Sequence, residues 1–487
     1  MDLVSGFPKN LAYTLKQLAN FTKQTVKVIP DRMDPKFGEV TRFKLPASAM
    51  IDFRTISIYA DVSLFSDLTD GANNSYSLHL PRNTGSLIEQ ITITCNGVQL
   101  CNINDYNVLY NTLYDLEGAD YSQNSKRLLE NADPSVHYYR KDTTAENSPI
   151  GIVNACGNNV NNKEIKRPIV INNFLGFISS LSTPVLDLND TGDIFIEIRW
   201  ASANVLWASN NIGVVAPAAN VGSNKFENVR MTCSKINFES GEYFNLKSQK
   251  LLSDGLMVGY YDYWTARGSA VDKSAGVSMN FNVATNSLDQ CIATFQKHDY
   301  QTVKHLVLHG VDADTDAAGI AAFINYQKYL TDIPTYTSAA GGIGDGFNQS
   351  YYFMRAGADL ATSQWSINST NIDPYPLPPS EIWNQNLIAL GNQNLDFGTS
   401  GVHSSCVSLY HFLKYYFCHI LSLENLSGDG QFWRSGLSGN GSTVNITYNA
   451  TFDKQGATTT AEKIAPIIFC RSTKVLSIRD GHIVSVV

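Results

Sequence analysis

The sequence predicts a mainly β protein made of two tandem antiparallel sandwiches. Three observations carry that prediction: period-two alternation, an internal echo, and low charge combined with many aromatic residues. Ile56, Ile58, Ala60, Val62 and Leu64 alternate with Ser57, Tyr59, Asp61 and Ser63. Ile91, Ile93 and Cys95 alternate with Thr92 and Thr94, and Ile194, Ile196, Ile198 and Trp200 alternate with Phe195, Glu197 and Arg199. Successive side chains of a strand point to opposite faces, so this pattern makes half-buried strands. Polar stretches rather than regular helices separate them, which predicts antiparallel sheets.

In chain order, residues 1–30 stand apart. Pro8 suits a first helical turn, and Leu11, Leu15 and Leu18 recur at helical spacing beside Lys9, Lys16, Lys23 and Lys27. This short amphipathic helix either packs on its own domain or forms an assembly arm that reaches a neighbouring subunit, an internal scaffold or a membrane surface. Strands follow at 56–64, 76–80 and 91–95. Asn96-Gly97 is a hairpin signal, because both residues accept the left-handed backbone a tight two-residue turn needs. It sets Cys95 opposite Val98 and Cys101 on the other face, roughly 10 Å from Cys95 and beyond disulfide reach. A helix is expected from Asn104 as N-cap through Leu109, Leu113 and Leu116 to Gly118.

The echo relates residues 78–94, LHLPRNTGSLIEQITIT, to residues 279–295, MNFNVATNSLDQCIATF. Thr84, Ser86, Leu87 and Ile91 meet Thr285, Ser287, Leu288 and Ile292 at a constant spacing of 201 residues. Each copy reads strand, polar turn, strand and then helix, the second helix starting near Asp316. A chain of 487 residues also exceeds the roughly 250–300 that one core sustains. An Ala-, Asn- and Gly-rich stretch over 213–224 sets the boundary. The expected units are 1–30, 31–222 and 223–487, the last opening with strand-like segments over 229–244. Long loops at 119–167, 331–380 and 427–443 are expected to carry function or interfaces.

Charged residues make up 16% of the chain, against about 25% in an ordinary soluble protein. With 36 basic and 44 acidic side chains, no strong positive field exists to neutralise phosphates, so direct nucleic-acid binding is not expected. Aromatics reach 11%, a composition suited to burial against partners. Met1-Asp2-Leu3-Val4 lacks the basic region and apolar stretch of a signal peptide, and none of the 8 cysteines stands in C-x-x-C spacing. Reduced cysteines are expected, and the Asn-x-Ser/Thr triplets at Asn20, Asn348, Asn368 and Asn445 are read as chance.

Catalytic and metal motifs fail on inspection. The run 341–346 is glycine-rich, yet no Gly-Lys pair follows to make a phosphate loop. Asp312, Asp314 and Asp316 open like a calcium loop, but Ala317 and Phe323 occupy the positions that need Gly and Glu. His403, Cys406, His411, Cys418 and His419 crowd an apolar stretch and are read as buried residues with ordinary partners. No catalytic, cofactor-binding or metal residue is assigned. An alternative reading, a receptor- or glycan-binding spike or adhesin, places a ligand platform at exposed Trp365, Trp383 and Trp433.

Residues 75–118, SYSLHLPRNTGSLIEQITITCNGVQLCNINDYNVLYNTLYDLEG, resemble the first half of the double jelly-roll major capsid proteins of tailless icosahedral double-stranded DNA viruses, nearest to those of polinton-like viruses and virophages. The likeness is weaker around 279–295 and 430–487. It implies two tandem eight-stranded antiparallel jelly rolls with short helices and long loop insertions. It also implies a homotrimer forming a pseudo-hexagonal capsomer, and a place in the virion. Residues 1–32 hold five basic and two acidic groups, too few for a genome-packaging tail. The arm at Leu11, Leu15 and Leu18 is therefore expected to touch minor capsid or penton proteins, or an internal membrane.

Overall fold

The computed structural model describes residues 21–47, 49–64, 76–81, 83–117, 165–210, 224–238, 241–253, 255–297, 307–308, 351–353, 355, 357, 359–389, 412–413, 416–424, 436–439, 443–453, 463–479 and 482–486. Strands in the first half are β1 Phe21–Val28, β2 Val40–Lys44, β3 Met50–Leu64, β4 Tyr76–His79, β5 Ile88–Cys95, β6 Val98–Ile103, β7 Ile165–Ile171, β8 Val185–Asp187, β9 Ile194–Trp200, β10 Trp207–Asn210 and β11 Lys225–Phe238. Those in the second are β12 Leu256–Arg267, β13 Val271–Asp272, β14 Val277–Val283, β15 Leu288–Lys297, β16 Val307–Leu308, β17 Leu360–Ile367, β18 Thr370–Asn371, β19 His419–Ser422, β20 Val444–Phe452, β21 Lys463–Arg479 and β22 His482–Val486. The longer helices are α1 Tyr106–Glu117, α2 Gly241–Ser253 and α3 Pro379–Ala389.

The second half shows the strand order most plainly. One sheet runs β12-β21-β15-β19 and the facing sheet runs β14-β20-β17-β18. Lettering these eight strands B to I in chain order gives sheets B-I-D-G and C-H-E-F, the interleaved order of a jelly roll. In the first half, β2, β9 and β5 hold the B, I and D places, with β6 on the far side of β5, and the facing sheet runs β1-β11-β3-β7. The fourth strand differs between the halves because β6 is joined to β5 by the hairpin at Asn96-Gly97. A mainly β chain of two tandem jelly-roll sandwiches is what the sequence predicted.

The hairpin forms as expected, with Cys95 paired to Val98. Asn96 and Gly97 have φ of 46° and 82°, the left-handed values that a two-residue turn matched to strand twist requires. Cys101 corrects the expectation. The register shifts between Ile93 and Thr94, so Gln99 pairs with Thr94 and Cys101 with Ile93. Leu100 is the extra residue of a bulge, and that insertion turns Cys101 to the core face that Cys95 also occupies. Both thiols are buried and free. Asn96 in turn donates to the Thr191 carbonyl at 3.1 Å and accepts from the Asp193 amide at 3.2 Å. Gly192 has φ +88°, and a Cβ there would stand 2.1 Å from Asn96 Nδ2, so only glycine fits.

Helix α1 begins one residue later than expected, because the Asp105 carbonyl, not that of Asn104, accepts from Val108 and Leu109 at 3.0 and 3.1 Å. Leu109 and Leu113 are buried as the spacing predicted. The helix expected at Asp316 lies outside the described residues, as do Leu11, Leu15 and Leu18.

Two further differences concern the echo and the boundary. The D strands β5 and β15 each carry a bulge against the I strand. Ile88 pairs with Trp200 and Gln90 with Arg199, while Leu288 pairs with Ser472 and Gln290 with Arg471. The carbonyls of Leu87 and Ser287 accept from Ala201 and Thr473 respectively. The equivalent positions are therefore Glu89 and Asp289, 200 residues apart. The 201-residue echo found the right pair of strands one residue out of register. At the boundary, β11 pairs with β3 along its length, and β1 pairs with β11 from Phe21 to Val28. The segment expected to open the second unit thus completes a sheet of the first, and the later part of the segment read as arm is an edge strand of the same sheet. The second sandwich's own sheets start at β12.

Each sandwich fills its interior with the alternating apolar rows. Ile91, Ile93 and Cys95 of β5 and Ile194, Ile196 and Ile198 of β9 are 0% exposed, and Ile56, Ile58 and Val62 of β3 are at most 1% exposed. In the second sandwich Phe295 packs on Tyr448 and Phe452, and Trp365 lies 4.5 Å from Tyr448. The exposed edge of β19 is closed by α3. The Asn386 side chain donates to the Cys418 carbonyl at 2.9 Å and accepts from the Ile420 amide at 2.7 Å, replacing a neighbouring strand with an amide.

Candidate assembly surfaces and the junction between the sandwiches

The chemistry that the sequence raised resolves into packing. His403, Cys406 and His411 lie outside the described residues, as do the calcium-like spacing and the glycine-rich run. His419 is 0% exposed, with Nδ1 bonded to Ser363 Oγ and Nε2 to Gln385 Oε1, both at 2.8 Å. Both ring nitrogens are thus occupied by neutral partners, and burial holds the ring neutral with its pKa pulled down to about 3. Among the described residues, no group of His, Cys, Asp and Glu is arranged to hold a metal ion. The tryptophan platform is corrected. Trp365 is 0% exposed, and Trp383 is partly buried with its ring 4.9 Å from Phe412. Trp433 lies outside the described residues. An inward-facing position on β17, rather than a loop, explains the burial of Trp365.

The polar machinery that the structure does show joins the two sandwiches. Tyr260 of β12 is 0% exposed, its ring set edge-on to Phe177 at 4.9 Å, and its hydroxyl donates to the Leu100 carbonyl at 2.8 Å. Ser182 and Gly259 exchange two bonds: the Ser182 amide donates to the Gly259 carbonyl at 2.8 Å, and Ser182 Oγ accepts from the Gly259 amide at 2.9 Å. Ser180 Oγ accepts from the Tyr261 amide at 2.8 Å. Lower on β12, Thr265 Oγ1 donates to the Asn104 carbonyl at 2.8 Å, and the Arg267 guanidinium meets Asp105 at 2.5 Å and Gln296 at 3.1 Å. Asp105 has φ 50°, the left-handed start of α1 that precedes the helix.

A buried ion triad fixes the linker helix α2. Lys247 bonds Asp187, the residue that starts the helical turn Leu188–Thr191, and reaches Asp190 at 2.8 Å. Burial raises the Asp190 carboxyl and Lys247 opposes that rise, while the two carboxylates outweigh burial and hold the Lys247 ammonium above its usual value. Partners across the junction are 57 to 162 positions apart in sequence, so no local pattern announces them.

The outward faces differ between the sandwiches. On the sheet around β3, Arg230 stacks its guanidinium 5.3 Å over Tyr59, and Asp61, Lys27 and Lys23 point outward. On β14-β20-β17 the outward rows are Gln364, Asn449 and Ser278, then Thr447 and Asn280, then Asn445 and Asn282, with Thr362 beside Thr451. Asn445 Nδ2 donates to Asn280 and Asn282 at 2.8 and 2.9 Å, and Thr362 and Thr451 share a bond of 2.8 Å.

With this geometry in place, comparison with known proteins identifies the fold. No protein-family model matches the chain, and no curated protein matches it in sequence. Among solved structures it resembles PBCV-1 VP54, fitted into a reconstruction of the virophage Sputnik, with a TM-score of 0.54 and 12% identity over 96% of this chain and 97% of that one. The PBCV-1 virus capsid matches at 0.52 with 12% identity over 96% and 97%, and the Sputnik virophage structure at 0.51 with 13% identity over 95% and 88%. The chain therefore has the double jelly-roll fold, shared over nearly its whole length with these viral capsid structures. No helix among the described residues is long and apolar enough to cross a membrane.

Proposed function

We propose that this chain is a major capsid protein, the structural subunit of an icosahedral double-stranded DNA virus shell, with no enzymatic role. Three copies form a capsomer, and three two-lobed subunits around one axis present six similar lobes, a pseudo-hexagonal outline that tiles a shell. Its place is the virion, assembled inside the infected host cell. The observation that supports this most is the junction: two jelly rolls held side by side by Tyr260, Arg267 and the Lys247 triad, in a chain that follows capsid structures end to end. Negative-stain microscopy of the purified protein tests it. Hexagonal particles with a threefold axis are expected, and isolated two-lobed particles would contradict it.

Its partners are then copies of itself, neighbouring capsomers, minor capsid or penton proteins, and an internal membrane where one is present. Residues Leu11, Leu15 and Leu18 serve as the assembly arm rather than as part of the fold. Strand β1 begins at Phe21, so removal of residues 1–20 spares the sheet. Such a protein is expected to purify as wild type yet form few shells. Loss of soluble protein would refute the role of the arm.

A further inference from the structure

We propose that the uncharged outward face of β14-β20-β17 is where one capsomer meets the next, its occupant being a second copy of this chain. This rests on the capsid reading above. The two sheets of the second sandwich treat their outward rows oppositely. On β15 the row pointing away from the interior is covered: Gln290, Thr294 and Gln296 are 2%, 0% and 2% exposed. They bond the carbonyls of Ala389, Phe417 and Tyr352. On the facing sheet, Ser278, Asn280, Asn282, Asn445, Thr447, Asn449, Thr451, Thr362 and Gln364 all remain accessible, and none carries a charge.

The chain has a net charge of −8, so two copies repel at long range. A contact between identical surfaces brings residues against their own kind or near neighbours, and an ionised side chain there would meet its like. Amides and hydroxyls avoid that conflict, because each carries both donors and acceptors and pairs with its own kind. Asn445 already does so with Asn280 and Asn282. The face is also too polar for an obligate trimer interface, which resembles a core cut in half. A hydrated, amide-rich surface suits the later, weaker contact between finished capsomers.

The test replaces Asn280→Lys together with Asn449→Lys, alongside the conservative pair Asn280→Gln and Asn449→Gln. Shells recovered from expressing cells and sedimentation velocity of concentrated capsomers are the readouts, with mass and melting temperature measured on each protein. The lysine pair is expected to keep the trimer mass and the wild-type melting temperature while shell yield falls at least tenfold, and the glutamine pair to assemble normally. Wild-type shell yield from the lysine pair, loss of the trimer in it, or equal failure of the glutamine pair would overturn the proposal. A wild-type chain that never forms trimers would instead remove the capsid reading, and this contact with it.

Discussion

Across the sheet around β3, the outward positions mix Lys27, Arg230, Tyr59 and Asp61, while across β14-β20-β17 they are amides and hydroxyls throughout. The interiors, by contrast, are built alike, with an alternating apolar row facing a tryptophan or phenylalanine anchor. Interior chemistry follows from folding two similar sandwiches. Surface chemistry does not, and it diverges between the two sandwiches, charged and aromatic on one and uncharged on the other.

The largest effects should come from the anchors that make the interiors alike. Trp200 stacks on Phe226 at 4.1 Å and donates to Thr41 at 2.9 Å, whereas Trp365 packs on Tyr448 and His419. Replacing either tryptophan by alanine should cost about 3–5 kcal/mol, read by denaturant unfolding. If only one substitution mattered, the equivalence of the two cores would fail. Lys247→Met should cost a similar ~3–5 kcal/mol, because Asp187 and Asp190 would be left buried without their cation. A neutral outcome would show that the linker helix is not braced by the triad.

A smaller effect distinguishes the lobes by pH. His419 titrates near 3 in the fold, below its unfolded value of about 6.5, so its contribution to stability is complete above that value and is lost as pH falls from 6.5 towards 3. Acid unfolding followed by tryptophan fluorescence should therefore soften in His419→Gln relative to wild type. An unchanged acid profile would mean that other groups control it. Smallest of all, Asn449→Ala should change stability by no more than about 0.5 kcal/mol, since it faces solvent. A larger loss in calorimetry would assign that face a folding role.

Much of the fold was legible because alternation and the Asn96-Gly97 turn are local signals. The Leu100 bulge was not, because an extra residue breaks period two without leaving a composition mark. The echo fell one residue off the true equivalence for a different reason: the bulges at Glu89 and Asp289 stand at equivalent positions and keep the spacing at 200, and only the pairing with the I strands, not residue identity, reveals that register. The boundary was misplaced because β11 reads as a strand wherever it pairs, and only the register with β3 assigns it to the first sheet. Of the candidate assembly surface, the arm at Leu11, Leu15 and Leu18 lies outside the described residues. The junction was not legible, since Tyr260, Arg267 and Lys247 find partners far away in sequence.

The most direct measurement is the solution mass of the full chain by size-exclusion chromatography with light scattering at micromolar concentration. Two fused jelly rolls that build a pseudo-hexagonal capsomer predict a single species of three times the 53.6 kDa chain. A stable species at the mass of one chain would contradict that claim.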